Sequence, residues 1–361
     1  MKILVFGAGV LGSVYAARLQ RSGQDVTILA RGERLDQIRE NGILLREQGQ
    51  DEVAVTPVRV IDHLEPDELY DWILVILRRN QLEGALATLR ANPASPNILF
   101  MFNNASGWTE LADAVGSRRV VLGFPGAGGG REEGVVSYLI APREGQPTTV
   151  GELDGRITPR LRQMCAIFEQ AGFPAAISPN MDAWLKTHAV LVSPIANAVY
   201  MAGGSTHRLA ETRDGLILLV RAIKEGLEAL VAQGIPVTPR RYELLRWLPE
   251  PLLVAVLHKS LVSERAELGL ARHANAARDE MHLLAVQVRA LIAQSGLPAP
   301  AFEMLAGYLE PSAEPAEAGS AELALDWQPL IKAGITLGVG LLVLGRLCRR
   351  RKCCCCGKKK K

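Results

Sequence analysis

Gly7-Ala-Gly9-Val-Leu-Gly12 follows a short apolar run, Lys2 to Phe6, and opens a helix-length stretch. In that setting the G-x-G-x-x-G spacing has a mechanism. The first glycine permits a tight turn and the second lets a pyrophosphate approach the backbone. The third allows close helix–strand packing, with the phosphates at the helix N-terminus. The chemistry implied is that of a dinucleotide, hence redox chemistry. At the end of the second strand an acidic residue would accept from a ribose 2′-hydroxyl, but this chain has Ile28-Leu-Ala-Arg31-Gly-Glu33-Arg34. Arg31 suits a 2′-phosphate, so NADPH is favoured over NADH, with Glu33 as the rival ribose ligand. A second group that could do chemistry is Lys186, in Asp182-Ala-Trp184-Leu-Lys186-Thr-His188-Ala. An apolar helix is an expensive place for an ammonium unless it works there or snorkels to the surface. Lys186, Val190, Ser193 and Asn197 fall on one helical face, so Ser193 and Asn197 could bind a substrate, although Pro194 threatens a kink between them. His188 lies two residues from Lys186, points elsewhere and reads as a packed ring.

The elements that must position these groups fall into two blocks. Apolar strand runs recur at Asp25 to Leu29, Trp72 to Leu77, Ile98 to Phe102 and Val120 to Phe124, separated by helix-length stretches such as Leu11 to Arg21 and Gln81 to Ala91. That alternation predicts a parallel, doubly wound α/β sheet. Gly134 to Ile140 and Thr148 to Val150 read as antiparallel edge strands, and Gly126 to Gly130 as either a lid loop or a plain turn. From Asp182 to about Leu309 the chain is Ala/Leu-rich with helical periodicity, clearest at Leu216 to Ala232, Arg240 to Leu248 and Arg278 to Gln294. The expected organisation is therefore a nucleotide-binding domain over 1–178 and an all-α domain over 179–309. A Pro/Ala/Glu stretch over 310–328, with little to bury, reads as a disordered linker. An apolar helix over 329–347 and a basic, Cys-rich end over 348–361 follow.

With these motifs in place, the chain resembles the ketopantoate reductases over roughly residues 1–305. The resemblance implies a Rossmann domain followed by a helical substrate and dimerisation domain, NADPH as cofactor and a small carbonyl substrate. It also assigns roles. Arg78, in Leu77-Arg78-Arg79-Asn80-Gln81, stands where the family has a lysine near the cofactor. Asn103, in Phe102-Asn103-Asn104-Ala-Ser-Gly107, matches an asparagine at the nicotinamide and substrate. Lys186 matches the catalytic lysine of a Trp-x-Lys helix, expected to polarise the carbonyl and donate a proton, with burial lowering its proton affinity. Glu280 matches a substrate-positioning glutamate, with Asp279 as the neighbour that could take its place. The family's asparagines after the lysine correspond to Val190 and Pro194, so the substrate stays open: a 2-oxo acid, a related carbonyl, or no turnover at all in an NADP(H)-sensing regulator.

The composition narrows the remaining classes. The chain has 361 residues, with 41 Lys and Arg against 38 Asp and Glu. Nine of those basic residues and no acidic ones lie beyond Gly345, leaving 32 against 38 in the body, a net of −6. An acidic body argues against a nucleic-acid partner. Five of the six cysteines, Cys348 and Cys353 to Cys356, also lie in that tail, so the body has one thiol, Cys165, and no disulfide scaffold. Four consecutive cysteines do not easily make one tetrahedral site, and no metal is expected. Ala333 to Gly345, flanked by Lys332 and Arg346, predicts membrane attachment of a cytoplasmic-facing body, spanning or interfacial, with the cysteines as acylation candidates.

Overall fold

The computed structural model describes residues 1–310 and 312–328, without the side chains of 265, 268 and 273. Among the described residues twelve strands form two sheets. They are β1 (Lys2–Phe6), β2 (Asp25–Leu29), β3 (Ile43–Glu47), β4 (Ala54–Thr56), β5 (Arg59–Ile61) and β6 (Trp72–Val75), followed by β7 (Ile98–Met101), β8 (Val120–Phe124), β9 (Ala127–Glu132), β10 (Val135–Ile140), β11 (Thr148–Glu152) and β12 (Ala175–Ile177). The helices of the first domain are α1 (Val10–Arg21), α2 (Glu33–Asn41), α3 (Leu82–Ala91), α4 (Thr109–Val115) and α5 (Pro159–Gln170).

The larger sheet has the order β12-β11-β8-β7-β6-β1-β2-β5, and β5 to β8 through β1 run parallel. Strand order reverses between β1 and β6, which opens a crevice at their carboxyl ends, where doubly wound sheets take their ligands. Val- and Ile-rich strands buried on both faces account for the parallel arrangement. One face packs on α1 and α5, the other on α3 and α4.

The antiparallel edge strands read from the sequence fall in two different sheets. β10 joins a smaller sheet of order β4-β3-β10-β9, while β11 pairs antiparallel with β8. Gly126 to Gly130 is neither lid nor turn, because Ala127 onward pairs with β10. A Cβ on Gly129 would lie 2.2 Å from the Ser137 carbonyl oxygen, so the glycine permits the close pairing.

The second domain contains α6 (Met181–Met201), α7 (Thr206–Glu211), α8 (Arg213–Ala232), α9 (Leu244–Trp247), α10 (Glu250–Leu261), α11 (Glu264–Ala266), α12 (Arg272–Ala276), α13 (Arg278–Ser295) and α14 (Pro300–Ala306). α6 runs unbroken through Pro194. The helix expected over Arg240 to Leu248 is a 3₁₀ turn followed by the short α9. The start of α6 belongs to the first domain's core, since Met181, Trp184 and Leu185 pack with α3 and α4, whereas the rest of α6 packs on α8 and α13. One helix thus carries Lys186 across the domain border.

The linker reading of 310–328 is overturned for residues 312–328. The segment lies as a strap on the helical domain, with Ala316, Leu323 and Leu325 packed on its core. The helix ends supply partners that composition does not reveal. The Ala316 amide donates to the Met201 carbonyl at the end of α6, and the Glu322 and Leu323 amides donate to Asp214 in the first turn of α8. The apolar 329–347 segment and the 348–361 tail lie outside the described residues. Among the described residues no helix is long and apolar enough to cross a membrane.

Candidate active site

The glycine loop joins β1 to α1 at the sheet's switch point. Gly7 has φ 119° and a Cβ there would lie 2.4 Å from the Ile76 carbonyl oxygen; a Cβ on Gly12 would lie 1.9 Å from the Gly7 carbonyl oxygen. A Cβ on Gly9 meets nothing within 4 Å. Two glycines therefore serve packing, while the middle one faces open space at the N-terminus of α1, where no side chain caps the helix. That combination fits a pyrophosphate.

Beside the loop Arg31 is exposed, with no ion-pair partner among the described residues. Arg34, three residues on, was not singled out in the sequence, yet it donates to the Ala8 carbonyl, to Ser13 Oγ (3.0 Å) and to the Gly134 carbonyl, tying the glycine loop to the smaller sheet. Burial, reinforced by the nearby Arg131, pulls its guanidinium down to about 10. The three-residue spacing from Arg31 at the start of α2 was the available signal. These features fit a phosphorylated dinucleotide.

On the other side of the switch point Arg78 is committed to the helical domain. It donates to Asp279 Oδ1 (3.2 Å) and the Ala276 carbonyl (2.7 Å), and Asn80 donates to Asp279 Oδ2 at 2.6 Å. The turn after β6 is thereby latched to the first turn of α13, and Asp279 has a role of its own beside Glu280.

Asn103 and Glu280 come together. The Asn103 amide donates to Glu280 Oε1 at 3.0 Å, both residues are 6% exposed, and Asn103 Oδ1 has no partner. One face of α13 holds the loop after β7, for Gln287, seven residues on, accepts from the Ala105 amide at 3.0 Å. Gln287 was missed in the sequence, although its i+7 spacing from Glu280 was legible.

Lys186 reaches this loop indirectly. Its ammonium is 2.6 Å from Asp182 Oδ2, one helical turn earlier, and a Cβ on Gly107 would lie 3.6 Å from Asp182 Oδ1. Asp182 was available from the sequence as an i,i+4 pair. Ser193 and Asn197 are fully buried, and Ser193 Oγ and both Asn197 amide atoms lack partners. Val190 fills the same face by packing against Gly226 of α8. His188 is a packed ring, stacked on Trp184 with centroids 5.2 Å apart. Cys165 is pushed up to about 11 by burial, with Glu169 adding to the shift, so its thiol is no nucleophile.

Comparison with known proteins agrees with this geometry. Residues 3–155 match the family model described as ketopantoate reductase PanE/ApbA. A 2-dehydropantoate 2-reductase of Mesorhizobium japonicum is 28% identical over 263 residues, covering 65% of this chain and 79% of the relative. Among solved structures, a 2-dehydropantoate 2-reductase from Geobacter metallireducens superposes with a TM-score of 0.69 at 21% identity, covering 87% of this chain and all of that one (100%). A D-mandelate dehydrogenase solved with NADH and anilino(oxo)acetate reaches the same TM-score, 0.69, at 16% identity, covering 86% and 97%. The nucleotide-binding domain thus matches the ketopantoate reductase family model and most of the chain a curated 2-dehydropantoate 2-reductase, so the chain is similar to the ketopantoate reductases.

Proposed function

We propose that the chain is an NADPH-dependent reductase of a small 2-oxo acid, with 2-dehydropantoate, the substrate in its relatives' names, as the first candidate. One observation carries the reading: the buried Asn103–Glu280 pair between the carboxyl end of β7 and the helical domain, with Asn103 Oδ1 left unpaired. A buried acceptor without a partner costs about 1–3 kcal/mol, a cost that a ligand donating a hydrogen bond there would remove. When bound, the cofactor supplies the hydride.

The chain's own residues do the rest. Gly7, Gly9 and Gly12 shape the pyrophosphate seat and Arg31 selects the 2′-phosphate. Arg78 exchanges Asp279 for a cofactor phosphate, and Asn103 orients the nicotinamide and substrate. Lys186, steadied by Asp182, polarises the carbonyl and gives its proton to the developing alkoxide. Glu280 positions the substrate, and Ser193 and Asn197 offer it the hydrogen bonds that Val190 and Pro194 cannot. Val190 and Pro194 keep related carbonyls open as substrates.

A second reading, an NADP(H)-binding regulator without turnover, is favoured by the commitment of both Lys186 and Arg78 to carboxylates. The test is NADPH consumption by the protein lacking 329–361 against 2-dehydropantoate and a series of 2-oxo acids. We expect turnover with at least one, and at least tenfold slower with NADH. Tight NADPH binding with no turnover in the series would establish the regulator instead. Membrane attachment of a cytoplasmic-facing body through 329–361 stays part of the proposal, tested by flotation of the full chain, but not the truncated one, with anionic vesicles. A homodimer through the helical domain is tested by sedimentation.

A further inference from the structure

Trp184 and His188 flank Lys186 by two residues on either side, so they occupy the opposite face of α6. On that far side the two domains border an open cavity of about 220 Å³. Its first-domain wall comes from the loop before β11 and from β12, and its second-domain wall from α6 and the turn at 238–242. Trp184 and His188 line it with rings stacked on each other at an interplanar angle of 9°, and Phe124 packs against His188 at 4.1 Å. Pro147, Pro179 and Pro239 line the sides.

No carboxylate lines the cavity, whereas Arg241 does. Arg241 lies over the Tyr242 ring at 5.0 Å and donates to the carbonyls of Glu144 and Gly145 and to the Tyr242 hydroxyl. A guanidinium has five N–H groups, and these bonds use three of them. Two of the lining hydroxyls are engaged within the chain: Thr149 donates to the Pro147 carbonyl and Ser178 accepts from the Asn180 amide.

We propose that this cavity is a second small-molecule site, separate from the Asn103–Glu280 cleft, for a small aromatic carboxylate that packs against the apolar lining and pairs with Arg241. A small apolar body answers the aromatic and proline lining, and one negative charge answers the single guanidinium. Taking the ~30 Å³ that a water occupies in the liquid as a ceiling for one packed atom, the volume holds on the order of ten non-hydrogen atoms. Because both domains supply its walls, an occupant adds contacts across their border.

The probe is benzoate, followed by calorimetry on the full chain, with uncharged benzamide as the isosteric control. Benzoate should bind at least fivefold more tightly than benzamide, and Arg241→Gln should remove that preference. Ala176→Phe, which fills the cavity and leaves Arg241 in place, should abolish binding of both. Lys186→Ala and saturating NADPH should leave benzoate affinity within twofold. Displacement by NADPH, loss of binding in Lys186→Ala, or unchanged binding in Ala176→Phe would each place benzoate elsewhere and overturn the proposal. Since no turnover is measured, these outcomes are independent of the reductase reading.

Discussion

The Lys186 ammonium has one carboxylate against it, Asp182, and the side chains that share its face of α6 are buried with unsatisfied polar atoms. If Lys186 is the proton donor, Lys186→Ala lowers kcat by about 10²-fold or more, the range general acids command. NADPH affinity, read by quenching of protein fluorescence, changes less than threefold, because the glycine loop and Arg31 are untouched. Equal turnover in the variant removes Lys186 from the mechanism. At this scale the sequence was informative where a residue type was costly. A lysine among Ala, Trp, Leu and Val is conspicuous on its own, and its partner sits one turn away. The Asn103–Glu280 contact was not legible in that way, since 177 residues separate the pair and neither segment's pattern signals the other. Only the resemblance singled out those two residues. Nothing singled out Gln287 or Arg34, whose roles depend on which loop the fold lays against them.

Between β1 and α1 the same residue type serves two purposes, and substitution separates them. Gly12→Ala puts a methyl 1.9 Å from the Gly7 carbonyl oxygen, an overpacking that costs about 3 kcal/mol or more, so the variant should melt well below the parent or fail to fold. Gly9→Ala meets nothing in the protein, so its melting temperature should stay within about 2 °C while NADPH binding weakens at least tenfold. Calorimetric melting and NADPH titration check both, and a Gly9→Ala protein with normal NADPH affinity would remove the loop from the cofactor site. The β-α alternation was readable because β1, β6, β7 and β8 are nearly continuous apolar runs, whereas the parallel edge strand β5, Arg-Val-Ile, is not. The smaller sheet was not. β4 has three residues, and β9 is Ala-Gly-Gly-Gly-Arg-Glu, whose strand character comes from pairing with β10 rather than from its side chains.

Over the whole molecule, the two domains are joined by more than a hinge. α6 has its first turns in one core and the rest in the other, Arg78 and Asn80 reach Asp279, and Arg241 reaches the loop before β11. The strap over 312–328 adds a tie within the helical domain. Removing everything after Glu310 should lower the melting temperature by roughly 5 °C, from about 2 kcal/mol of lost hydrogen bonds and burial. Burial raises the Asp214 carboxyl, but the Glu322 and Leu323 amides, Ser320 and Arg213 outweigh it and leave the group below its ordinary value. The strap's contribution is therefore present above the unfolded carboxyl's value near ~4 and is lost as pH falls through the lower folded value. An unchanged melting temperature in the truncated protein would show that the strap carries no stability. Composition pointed the other way because a Pro/Ala/Glu segment has little of its own to bury, and its order comes from the ends of α6 and α8. On the proposed function, the cleft between these domains reduces a 2-oxo acid at the expense of NADPH. The most direct measurement mixes the protein with NADPH and 2-dehydropantoate and follows nicotinamide absorbance and product together. One 2-hydroxy acid should form per NADPH consumed, with Lys186→Ala slowed by orders of magnitude; NADPH bound but not consumed, with this or any other 2-oxo acid, would rule out a reductase.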